Sequence, residues 1–196
     1  MTIVVDAAYP ASGHPVPNVG PALLPDWRHP LLPLPSSTSR RTVALAGWSI
    51  LAIGLAFAEA IARLGARALA GVRGGLSPAE WVALAASVLL FTWFEGYRSL
   101  HRRWVPAAVR RAFEVAARSA GVLGWLAAPL KALGLLGGTR RELVRAWVGV
   151  GMITLAVFLV RALPMPWRAI VDAGVSSALL LGLCSLVIRF IAAAKA

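Results

Sequence analysis

Three carboxylates, Glu59, Glu95 and Asp172, stand inside or beside long apolar runs of the chain. A charge at the centre of a membrane helix costs ~2.5–3.5 kcal/mol on insertion scales, so an ionisable group kept there points to a proton, ion or solute site unless it is neutralised locally. Each acid has a basic residue at a similar expected depth. Arg63 is one helical turn from Glu59, Arg161 is level with Glu59 and Asp172 on another segment, and Arg98 and Arg145 are level with Glu95. Two readings follow. In one, Glu59, Arg161 and Asp172 line a polar site open to the outside. In the other, the same residues form ion pairs near the membrane boundary that fix helix register while the arginines extend to water.

Other chemistries lack their residues. His14, His29 and His101 are the only histidines, and none falls inside an expected span, so a bis-histidine haem within a bundle is excluded. The single cysteine, Cys184, supplies neither a Cys-x-x-Cys pair nor a thiolate metal site. The serines of Gly174-Val175-Ser176-Ser177 have no membrane histidine to act as a base, and no Gly-rich loop ending in Lys-Ser/Thr is present. The expectation is a protein that is not an enzyme and holds no metal or cofactor.

The elements that must position these residues follow from composition. Of 196 residues, 59% are hydrophobic and 14% charged, with twenty Lys and Arg against eight Asp and Glu. Mean hydropathy is +0.74. Ordinary soluble domains are near half apolar and a quarter charged, so this is an integral membrane protein. A spanning helix needs ~20 apolar residues, and four segments qualify: about 43–64, 79–100, 143–163 and 168–190. Their uncharged stretches, 42–58, 81–94, 146–160 and 173–188, cover only ~21–26 Å at 1.5 Å per residue. Each span therefore carries a charge near one end, which favours the ion-pair reading. Ser77-Pro78-Ala79-Glu80 and Thr139-Arg140-Arg141-Glu142 have capping-box spacing and mark helix starts. Pro106 is expected to end the second span, and Pro164 and Pro166 the third. Gly174, Ala178 and Gly182 form a small-residue stripe on the fourth span, suited to close helix packing.

Residues 1–42 hold eight of the thirteen prolines and are expected to be a disordered arm. They lack the basic start and apolar core of a secretory signal. Residues 105–139 are too long for a turn. Within them, 106–118 reads as an amphipathic helix lying flat on the cytoplasmic leaflet, with arginines near anionic headgroups. Residues 119–137 read as an interfacial or re-entrant piece, because Pro129, Lys131 and several glycines interrupt them. With four spans and both termini inside, fifteen basic residues fall on the cytoplasmic side and five outside, the asymmetry of a multi-pass inner-membrane protein. Most of these flank spans, so the net charge of +12 does not indicate nucleic acid.

Phe94-Glu95-Gly96-Tyr97-Arg98, Trp104-Val105-Pro106, Ala128-Pro129-Leu130, Thr139-Arg140-Arg141 and 163–174 together resemble a group of small uncharacterised integral membrane proteins of proteobacteria. The resemblance covers about residues 80–185. It implies a bacterial inner membrane and carries no known activity. The expected role is an accessory, scaffold or assembly component that binds another membrane protein or a second copy. The alternative is a small transporter or channel for a proton, ion or small solute.

Overall fold

The computed structural model describes residues 39–118 and 121–195. Residues 1–38 of the expected arm lie outside that range. The side chain of Ser39 accepts from the Thr42 amide and starts α1, Arg40–Arg73, at ~51 Å longer than a bilayer core is thick. Gly75, at φ +88, turns the chain after it. The expected capping box then begins α2, Pro78–Phe91: the Ser77 amide donates to Glu80 Oε2 at 2.7 Å, and Pro78 takes the first helical position.

The second span does not stop at Pro106. It runs from α2 through a π-helical segment, Thr92–Trp104, into α3, Val105–Arg118, as one continuous helix of 41 residues. A proline ring clashes with the carbonyl four residues back, here that of Arg102. The turns before it are widened, with the Val105 amide bonding the Leu100 carbonyl five residues back. A wider turn relieves that clash and lets the helix pass the proline. After it come α4, Gly121–Ala132, with Pro129 inside it, then α5, Arg140–Ala162, and α6, Trp167–Lys195. Gly134, at φ +77, closes α4. Its amide donates to Lys131 and that of Leu135 to Leu130, the paired bonds of a glycine-ended helix. Thr139 and Glu142 form the second capping box.

Among the described residues, four helices are long and apolar enough to cross a membrane. The chain is an all-α, multi-pass membrane protein. At ~18 Å, α4 is too short to be a fifth span.

The centre of the bundle is α6. It runs antiparallel to α1, with Gly47 beside Phe190, Gly54 beside Leu183 and Gly71 against Ala169. On another side it runs parallel to α2 and the π segment, with Gly96 against the Ala178 backbone and Gly182 against Leu100. The apolar side of α3 (Val105, Val109, Ala112, Phe113 and Ala116) is buried with Leu45, Ala46, Ile50 and Ile53 of α1, Ala128 and Ala132 of α4, and Leu186 of α6. This corrects the expectation of a helix lying on the leaflet: protein, not lipid, covers that side. Trp125 of α4 stacks on Trp48 of α1 with ring centres 4.6 Å apart. By contrast, α5 has no buried residue; its backbone approaches that of α6 over a few residues, and the charge of Arg111 on α3 reaches Glu142 in its first turn.

The α6 seam makes a specific prediction. A Cβ at Gly174 would come 2.5 Å from Ser87 Oγ, 2.7 Å from a Phe91 ring carbon and 3.0 Å from the Ser87 carbonyl. Gly174→Val is therefore expected to destabilise the protein by ~1–3 kcal/mol, as overpacking does. Gly149 of α5 has open space around it, and Gly149→Ala is expected to be neutral or mildly stabilising. Thermal unfolding of both variants in the same detergent checks the contrast.

Candidate functional site

The seam between α6 and the long second helix carries side-chain hydrogen bonds along most of its length. Ser87 Oγ donates to the Ile170 carbonyl at 3.0 Å. Thr92 Oγ1 lies 2.9 Å from Ser177 Oγ. Because Ser177 Oγ gives its hydrogen to the Gly174 carbonyl at 2.7 Å, Thr92 is the donor of that pair. Further along, His101 Nδ1 lies 2.7 Å from Ser185 Oγ, which donates to the Leu181 carbonyl at 2.7 Å. His101 therefore donates from Nδ1. A serine whose hydrogen is already committed, beside an imidazole that donates rather than accepts, is not an activated nucleophile. The pair fastens helices. Sequence reasoning missed it because it ended the span before His101; the helix passing through Pro106 brings that residue into the bundle.

The small-residue stripe lies on this seam. Gly174, Ala178 and Gly182 are all buried, facing Ser87 and Phe91, Gly96, and Leu100 with Phe57 respectively. Gly96, from the opposite helix, completes the close approach.

The carboxylates are distributed differently from the depth argument. Asp172 is 3% exposed, and its Oδ2 has no hydrogen-bond partner. The cations whose charge reaches it are Arg67 of α1 and Arg168, one turn back on α6. The Arg168 Nε is buried and also without a partner. Arg161 is exposed on α5 and takes no part. Glu59 is exposed and pairs with Arg63 on its own helix. The expected cluster of Glu59, Arg161 and Asp172 is therefore not assembled. Glu95, Arg98 and Arg145 are all exposed, and no ion pair among the described residues joins Glu95 to either arginine.

Packing register also changes their levels. Sequence reasoning puts Glu59 and Glu95 toward opposite membrane faces. Glu59 lies between Gly54, which meets Leu183, and Gly71, which meets Ala169, so it is level with the middle of α6. Glu95 adjoins Gly96, which meets Ala178, and is level with the same point. The uncharged stretches are staggered. Residues 42–58 lie opposite the C-terminal half of α6, and residues 81–94 opposite its N-terminal half. A bilayer core centred on 173–188 of α6 takes in Glu59, Arg63, Glu95 and Arg98, all of them outward-facing.

Comparison with protein-family models, with curated proteins and with solved structures finds no match.

The His101–Ser185 contact can be measured by a double-mutant cycle of His101→Phe and Ser185→Ala. Interhelical hydrogen bonds in membranes average ~0.6 kcal/mol. A coupling of about that size in reversible unfolding is expected, and additive effects would contradict the bond.

Proposed function

We propose that this chain is a non-catalytic component of a membrane assembly, binding laterally to another membrane protein or a second copy in a bacterial inner membrane. The observation that carries this reading is the set of outward-facing charges level with the middle of α6. Glu59, Arg63, Glu95 and Arg98 are exposed where the neighbouring helix is uncharged over sixteen residues. Charges at that depth are costly against lipid tails and are stabilised by polar groups of a partner. Further support comes from α5, whose residues 146–160 carry no charge and which has no buried residue within the chain. The inner-membrane location rests on the sequence resemblance. The orientation, with both termini cytoplasmic, rests on the excess of basic residues in the arm and in the connection between the second and third spans.

Native mass spectrometry after extraction in mild detergent tests the proposal. The expected result is a stoichiometric complex with a different membrane protein or with a second copy. Replacing the charged pair by Glu59→Leu with Arg63→Leu should dissociate the complex while leaving the helices folded. A monomer in the wild type, with the double variant more stable than wild type, would mean those residues face lipid and would contradict the reading.

A second reading, a small transporter or channel, is favoured by one observation: the buried Asp172 with an open oxygen. It requires a proton or solute flux in liposomes that Asp172→Asn reduces at least tenfold. No flux from the wild type, or equal flux from both proteins, removes it.

A further inference from the structure

At the end of the molecule away from Asp172, a cleft of about 430 Å³ opens between α3, the end of α4 and the start of α5. Three cations line it: Arg111 and Arg118 of α3 and Lys131 of α4. Two acids are also in its wall; both make their bonds outside the cation set, and the charge of Arg111 reaches Glu142 across the cleft. Glu114 pairs with Arg110 at 3.5 Å. Glu142 accepts from the Thr139 amide at 2.9 Å and its hydroxyl at 3.0 Å, closing the cap of α5. No ion pair among the described residues takes up Arg111, Arg118 or Lys131. The remaining wall is largely backbone, from Gly134, Gly137 and Gly138. Gly134 and Gly137 both sit at φ +77, and a Cβ at Gly134 would come 3.0 Å from Arg111 Nη1. The tight turn after α4 thus folds onto the Arg111 guanidinium and makes the cleft concave.

This arrangement suits an anion with several acceptor oxygens. A guanidinium offers paired donors matched to phosphate geometry, and an ammonium adds a point charge. The approach to the cleft is apolar. Leu136 and Val115 line it, and α4 leads away from Lys131 with Leu130, Leu126, Leu123 and Val122 exposed. A polar head with an apolar continuation matches an amphiphile better than a free ion.

We propose that this cleft binds a phosphoryl anion, presented as the headgroup of an anionic phospholipid whose acyl chains lie along the exposed side of α4. The proposal is independent of whether the chain has a protein partner.

The test uses the full chain in detergent, titrated separately with phosphatidylglycerol, phosphatidylcholine and inorganic phosphate and read by native mass spectrometry and isothermal calorimetry. The wild type should retain phosphatidylglycerol in preference to phosphatidylcholine. The triple variant Arg111→Gln, Arg118→Gln, Lys131→Gln should weaken that binding by about a hundredfold, each cation near an anionic surface contributing about a factor of five. Arg73→Gln with Arg103→Gln removes two exposed charges outside the cleft and should leave binding unchanged. Single variants at Arg118 and Lys131 give the same direction at smaller size if the triple variant fails to fold. Binding of inorganic phosphate alone, lost in the triple variant, would keep the phosphoryl site and overturn its lipid source. Equal phosphatidylglycerol binding by wild type and triple variant, or equal loss in the Arg73/Arg103 control, would overturn the site itself.

Discussion

Two backbones can approach as closely as α6 and the second span do only where side chains are missing. Gly96 on one side and Gly174, Ala178 and Gly182 on the other leave that space. In a bilayer the hydrophobic effect does not drive helices together, since lipid tails are as apolar as leucine. Contact density and interhelical hydrogen bonds decide which pairs form. Here both act on one seam. The glycines bring the main chains close, and that closeness lets Ser87, Thr92 and His101 reach acceptors on α6. The placement of α6 follows. It becomes the element that α1 packs against from one side and the second span from another, and α3 and α4 fill the end where α1 and α6 meet.

The same seam explains the charged residues. Register is set by where glycines meet side chains, not by a common hydrophobic slab. The uncharged parts of the helices are therefore offset along the bundle axis, and Glu59 with Arg63 and Glu95 with Arg98 come level with apolar α6. A helix that packs well within its own chain at the cost of outward charges in the bilayer is consistent with a molecule completed by a neighbour. The loosely attached α5 is consistent with the same account.

Much of this organisation was legible in the residues. Ser77 with Glu80 and Thr139 with Glu142 announce two helix starts, because capping is a local matter of hydroxyl, carboxylate and spacing. Four long apolar runs announce four helices for the same reason. What stayed hidden needed neighbours. Pro106 reads as a stop because a proline does break a regular α-helix; the chain passes it on widened turns, with the Val105 amide on the Leu100 carbonyl, which a regular helical period does not foresee. Depth along a membrane normal is one coordinate, and it says nothing about azimuth. Arg161 and Asp172 share a depth by sequence, yet they stand on helices that scarcely touch, whereas Arg67, further along α1, reaches Asp172 because Gly71 brings that helix against Ala169. The apolar side of α3 is plain in its periodicity, but nothing in a single helix says whether lipid or protein covers it.

The seam is open to direct measurement by cysteine cross-linking. With the exposed Cys184 replaced by serine, Thr92→Cys and Ser177→Cys place two thiols where hydroxyls now lie 2.9 Å apart. That separation puts the β-carbons within roughly 4–5 Å, close to disulfide geometry. In native membranes under mild oxidant, both thiols are expected to be lost rapidly, with an internal cross-link formed within a single chain. Two thiols that stay available for labelling, or cross-links only between chains, would contradict it.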